Sequence, residues 1–243
     1  MLFRDKLILS MNLTHLERAQ AIARDFRSCT RTIRIGQALY TAHGPMGARS
    51  FGELGMHELI LDLQIGGRPW EIWAAVSEAA NIRSVSAITV QTTSGFAGLK
   101  AAKSAAEAGS AVNHSSRRLY VIGCLVPVNT DNNTVLNENS EEDRRRYVAR
   151  MAEMCLNSGI DGLMVDYDDL RYAHKHVPDL PLLANSRKPI RTYGALTPEN
   201  QRTLPGIRQV LTAGAEHALL DAALLDSEDT EWAADSLAKE LTE

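Results

Sequence analysis

Asn12, Arg34, Asp62, Gln64, Gln91, Asp166 and Asp221 stand at the ends of short apolar runs in this 243-residue chain. A polar group in that position needs a reason, because burying it without a partner costs free energy. The group either hydrogen-bonds within itself or forms a site, and the set as a whole favours a site. Arg34 offers a planar fork for a carboxylate or carbonyl oxygen. Asp62 is the candidate acid–base or orienting carboxylate, and Gln64 and Gln91 can donate to a heterocycle or amide. Arg68 follows closely and is a candidate substrate contact, although a guanidinium is effectively never deprotonated and makes a poor general acid. Asp166 and Asp221 suit a cationic, hydroxyl-bearing or unphosphorylated ligand, since a carboxylate repels phosphate. No cofactor is required by this set. Asp62 and Asp166, alone or with Asp168, could alternatively hold Mg²⁺ through oxygen ligands.

Bringing such residues together requires elements that end at a common place. Short apolar runs alternate with longer amphipathic stretches along the chain, the pattern of βα units on a parallel sheet. The expected strands are 7–12, 32–35, 58–64, 87–91, 119–126, 162–166 and 218–221, with the seventh of the eight at either 181–185 or 190–194. Thr14 and Glu17 have capping-box spacing ahead of a helix whose face carries Leu16, Ala19, Ala23 and Phe26. Pro69 suits a first helical turn, an alanine-rich helix is expected over about 97–108, and Ser140 can cap a helix through Tyr147, Met151 and Met154. Asp168 and Asp169 read as charges at a helix start. The expected fold is α/β, a single (β/α)8 TIM barrel spanning 1–243 as one domain. In that fold the site lies at the C-terminal ends of the strands. The first strand lacks the G-x-G-x-x-G turn of a dinucleotide-binding sheet.

Bulk properties narrow the function classes. A net charge of −4 argues against nucleic-acid binding. No apolar run reaches the roughly 20 residues of a membrane span, and no small-residue cleavage site follows the first apolar stretch. Cys29, Cys124 and Cys155 form no zinc spacing; they suit a reducing cytoplasm and read as buried filler, with Cys124 nearest the site end of its strand.

Several segments resemble one family in order and spacing: Leu9-Ser10-Met11-Asn12, Ile33-Arg34-Ile35-Gly36, Leu61 to Pro69, Thr89-Val90-Gln91 with Ser94-Gly95, and Ala213 to Leu220. Together they resemble the orotidine 5′-monophosphate decarboxylase superfamily over nearly the whole chain. The resemblance implies a TIM barrel, a lyase acting through a carbanion, and a homodimer with its site across the two-fold axis. It also exposes departures. The family's Asp-x-Lys-x-x-Asp motif keeps its first carboxylate at Asp62, but Gln64 stands at the lysine and Gly67 at the second Asp. Glutamine is no acid near neutral pH and cannot deliver the proton the lysine supplies. Asp221-Ala222 replaces the phosphate-gripping Gly-Arg pair, while Pro205-Gly206-Ile207-Arg208 looks like the phosphate loop but falls in or before the seventh helix.

Two functional readings follow. One is a lyase, decarboxylase-type or otherwise carbanion-stabilising, acting on a small, unphosphorylated heterocyclic or carboxylate-bearing substrate. The alternative is a non-catalytic pseudoenzyme serving as a ligand-binding or scaffold protein. The substituted positions stay polar, which favours the enzyme. Trp70 and Trp73, three apart on one helix, suit core or dimer packing; His43 and His57 have no obvious partner; and the Asn-rich segment 127–139 has the length of a lid or a surface loop.

Overall fold

Among the described residues, short runs of aliphatic and β-branched side chains form eight parallel strands: β1 (Leu7–Met11), β2 (Thr32–Gly36), β3 (Glu58–Ile65), β4 (Val85–Gln91), β5 (Tyr120–Cys124), β6 (Gly162–Val165), β7 (Leu182–Ser186) and β8 (His217–Asp221). The computed structural model describes residues 6–56, 58–112, 118–125, 141–186, 206–221, 230–231 and 234. Each strand pairs with the next, and β8 pairs with β1, so the sheet closes into a barrel. Between them lie α1 (Leu16–Asp25), α2 (Gln37–Glu53), α3 (Pro69–Ala80), α4 (Gly95–Val112), α5 (Glu141–Ser158), α6 (Tyr167–His176) and α7 (Ile207–Thr212). The seventh strand is the earlier of the two candidate runs; Leu182 pairs with Leu163 and Leu183 with His217. Segments 190–194 and 127–139, along with His57, Ser140 and Pro205, fall outside the described residues.

Alternation sorts the strands into two cores. Ile8, Ile60, Ala87, Ile122, Leu183 and Leu219 fill the lumen. Leu9, Met11, Ile33, Ile35, Leu61, Val90, Val121, Leu163 and Leu220 pack outward against the helices. The positions sharing the inward face on the upper strands therefore include Ser10, Arg34 and Thr89, polar side chains stacked above an apolar floor.

Local chemistry places the helices with some departures from expectation. The Thr14–Glu17 capping box does not form. His15 is the N-cap of α1, which leaves Glu17 one position short of the third helical residue. The Thr14 carbonyl instead accepts from His43 Nε2 at 2.9 Å, which supplies His43 with a partner. Asp169 does more than charge a helix start: it is buried, and Arg144 grips it with Nε at 2.8 Å and a second nitrogen at 3.0 Å, tying α5 to α6. That bond to Asp169, more than any other neighbour, raises the Arg144 guanidinium above its ordinary range. At the opposite end of the barrel from the mouth, Asp161 accepts Lys103 Nζ at 2.7 Å and the Val121 amide at 2.9 Å, with Arg118 closing on the same carboxylate. Position at the N-terminal face marks this cluster as structural. Trp70 and Trp73 are not core: α3 buries Ile72, Val76 and Ala79, leaving the two indoles 64% and 46% exposed.

Candidate active site at the mouth of the barrel

β2 and β3 set Gly36 opposite Asp62, which brings Arg34 and Asp62 to neighbouring levels of the lumen. Arg34 NH2 lies 2.9 Å from Asp62 Oδ2, with side chains 11% and 4% exposed. The arginine also reaches across the lumen, where NH1 donates to Met164 Sδ on β6 at 3.6 Å. A thioether is a weak acceptor, so that nitrogen is loosely engaged. Nε is buried and has no hydrogen-bond partner among the described residues. Asp62 is much better satisfied. Its Oδ1 accepts the Thr89 hydroxyl at 2.8 Å and has the Cys124 thiol at 3.9 Å. Burial above all, and the Asp62 charge next, push the Cys124 thiol well above its ordinary range. A thiol held in its protonated form is a weak nucleophile, and Cys124 is buried among the lumen side chains.

The strand carrying Asp62 is distorted where Gln64 sits. Leu61 pairs with Ile88, but the next register pair is Ile65 with Val90, so β3 carries two residues more than β4 over that span. Gln64 takes up the slack at φ 49°, the left-handed region, and among the described residues it is the one non-glycine there. Its amide finds Thr89 Oγ1 at 2.8 Å, and the same hydroxyl passes its own proton toward Asp62. Thr89 thus replaces the lost ladder bond and fixes Asp62 at once. Left-handed backbone at a non-glycine residue costs of order 1 kcal/mol and persists only where neighbours hold it.

The remaining candidates divide. Asn12 Nδ2 donates to Asp221 Oδ2 at 2.8 Å, joining the tops of β1 and β8. Gln91 ends β4 against the β3 loop: a methyl group on Gly66 would come within 2.6 Å of its Oε1. Asp166 heads α6 as its N-cap, half-buried. Arg68 is exposed at the head of α3, where its amide donates to Glu71 Oε2 at 2.8 Å, and nothing joins it to the Arg34–Asp62 pair. The structure therefore gathers Arg34, Asp62 and Thr89 in one cluster, to which Gln64 is joined through its backbone amide, and Asn12 with Asp221 in another. Among the described residues no three His, Cys, Asp or Glu converge, and the Arg34 guanidinium engages one oxygen of Asp62. The tetrapeptide that resembles a phosphate loop is accounted for too, with Gly206 as the N-cap of α7 and Ile207 its first residue.

Thr89, Ser10 and Met164 escape a reading restricted to the last polar residue of each strand. Thr89 lies two residues before Gln91 and Ser10 two before Asn12, so the inward face could have revealed both by alternation. Nothing in the sequence marks Met164, whose role depends on the reach of Arg34.

No family model matches the chain. Among curated relatives, the orotidine 5′-phosphate decarboxylase of Erythrobacter litoralis is 21% identical over 226 residues, 93% of this chain and 94% of that protein. The enzyme of the same name from Nostoc is 24% identical over 240 residues, 98% of each chain. The crystal structure of orotidine 5′-phosphate decarboxylase from Lactobacillus acidophilus superimposes with a TM-score of 0.76 at 18% identity, covering 98% of this chain and 100% of that one. End-to-end similarity at 20–24% identity to several orotidine 5′-phosphate decarboxylases, together with a closed eight-stranded barrel, makes the chain a divergent protein similar to the orotidine 5′-monophosphate decarboxylases.

Proposed function

We propose that the barrel is a carbanion-stabilising lyase of decarboxylase type, acting on a small unphosphorylated heterocycle that carries a carboxylate. The carrying observation is the Arg34–Asp62–Thr89 cluster, a buried guanidinium oriented by a fully engaged carboxylate at the strand ends. Arg34 faces the substrate carboxylate or a carbonyl oxygen beside the reacting carbon, where its fixed charge stabilises the electron pair left by bond cleavage. Asp62 orients that guanidinium. Gln64 and Gln91 donate to ring heteroatoms, and the proton that quenches the carbanion comes from water, since Gln64 carries none to give. Asn12 and Asp221 recognise the hydroxyl or amine end of the ligand, with Asp166 at the rim. A carboxylate at the end of β8 supports the unphosphorylated assignment, because it would repel a phosphate there.

The relatives bearing the decarboxylase name support the reaction class. We propose a homodimer as the working unit, in which a second copy covers the exposed Trp70 and Trp73 on α3. No described helix is long and apolar enough to cross a membrane.

The test is CO₂ release from a panel of heterocyclic carboxylic acids, with carbon-bound deuterium incorporation in D₂O as the second readout. Turnover of at least one acid is expected, and Asp62→Asn should abolish it while far-UV circular dichroism stays unchanged. Activity retained in that variant would remove Asp62 from the mechanism. No turnover, combined with no ligand-linked rise in melting temperature for any member of the panel, would replace the enzyme reading with the non-catalytic one.

A further inference from the structure

Ser10 and Arg34 are register partners on β1 and β2, and both point into the lumen, since Leu9, Met11, Ile33 and Ile35 occupy the outward face. Ser10 is 2% exposed, and neither its hydroxyl nor Arg34 Nε has a hydrogen-bond partner among the described residues. Neighbouring polar groups are handled differently. Thr89 makes two strong bonds at 2.8 Å, and Thr30 donates to the Leu7 carbonyl at 2.6 Å. Leaving a buried polar atom unmade costs about 1–3 kcal/mol, so two such atoms at one level of one lumen call for a common cause.

Both atoms can donate, one from a hydroxyl and one from a cation, and the nearby carboxylates are engaged elsewhere, Asp62 by another nitrogen of Arg34 and by Thr89, and Asp221 by Asn12. Their complement is an oxygen bearing negative charge. On the β8 side Asp221 is the register partner of Ser10, and its carboxylate is held by Asn12 Nδ2 at 2.8 Å at the mouth. Beside them the remaining grip on Arg34 is lopsided: Asp62 holds NH2 firmly, whereas Met164 Sδ holds NH1 through a weak contact at 3.6 Å that an oxygen acceptor would outcompete.

We propose that Ser10 and Arg34 form a carboxylate-binding floor, in which one ligand oxygen accepts from Ser10 Oγ and Arg34 Nε together. The proposal rests on the reading that the ligand carries a carboxylate, and it makes Ser10 the residue that distinguishes an acid from the same ring without the acid group.

The experiment is calorimetric titration of the full-length chain and of Ser10→Ala with two pairs that differ only in the carboxylate: orotate against uracil, and picolinate against pyridine. In the wild type the acids should bind more tightly than their parents. Ser10→Ala should weaken the acids about tenfold, the worth of one hydrogen bond to a charged group, and leave the parent rings unchanged. Removing an unpartnered hydroxyl should also leave the melting temperature of the ligand-free protein equal or higher, so lost affinity with retained stability is the expected signature. Acids that bind Ser10→Ala as tightly as wild type would overturn the role of Ser10 and leave the carboxylate reading standing. Absence of binding by both acids to the wild type would overturn both. A lower melting temperature for ligand-free Ser10→Ala would show that the hydroxyl serves the fold through a buried water, and would also overturn the proposal.

Discussion

Breaking the Arg34–Asp62 pair tests whether the centre of the lumen is the buried charge cluster described above. At an effective dielectric of about 20, charge centres about 4 Å apart attract by about 4 kcal/mol, and desolvation of both groups offsets most of that. The pair as a whole thus adds little net stability, but removing one member strands the other. Asp62→Asn leaves a guanidinium without a counter-charge in a site where Arg34 is only 9% exposed, facing a neutral amide and a thioether. Arg34→Met leaves Asp62, 4% exposed, with the Thr89 hydroxyl and a thiol. Each single change should cost about 3–5 kcal/mol, and the double change Arg34→Met/Asp62→Asn should cost clearly less than their sum, with a coupling of about 2–3 kcal/mol. Urea unfolding followed by tryptophan fluorescence and far-UV circular dichroism measures all four proteins under one set of conditions. Singles that cost under about 1 kcal/mol, or costs that add to within about 0.5 kcal/mol, would refute the picture of a mutually dependent buried pair. A domain of this size has stability of about 5–15 kcal/mol, and far-UV circular dichroism establishes that each single variant is folded at about 25 °C before its turnover is assayed.

Gln64→Gly should relieve the left-handed strain at φ 49°. The expected unfolding free energy is unchanged or up to about 1 kcal/mol higher, whereas Gln64→Val should fall by more than that, because a β-branched side chain resists this backbone. A second prediction concerns alkaline pH. Burial pushes the Cys155 thiol up to about 12, against an unfolded value of 9.0. Its contribution is present below pH 9.0 and is lost as pH rises toward the folded value, because the unfolded chain then releases a proton that the native protein keeps. Stability should therefore fall by about 1.4 kcal/mol per pH unit for this thiol over that window, and Cys155→Ala should remove that part of the slope in urea midpoints measured between pH 8 and 11. An unaltered slope would place Cys155 in contact with solvent.

The order of strands and helices was legible because the information is local. Period-two alternation marks a strand from a handful of neighbours, and the run from Leu7 to Met11 is such a strand. That Gln64 cannot act as a general acid was equally legible, since it follows from the chemistry of its side chain and needs no geometry. The ambiguous seventh strand was a different case. Both runs have acceptable composition, and only pairing of Leu182 with Leu163 and of Leu183 with His217 selects the earlier one.

What only the tertiary structure decided is who meets whom across the lumen. Arg34 on β2 touches Asp62 on β3 and Met164 on β6, a set with no sequence spacing in common. Thr89 serves Asp62 and Gln64 together because β3 gains two residues over β4 between Leu61 and Ile65, a register shift no local pattern announces. Arg68 shows the converse: near Asp62 in sequence, it is carried out to an exposed helix start. Alternation is set by bonds between adjacent residues, whereas contact across a barrel depends on the stagger of all the strands and the reach of each side chain. The amino-acid sequence therefore determined the barrel and the residue types at its strand ends, and the closed sheet decided which of those polar groups meet.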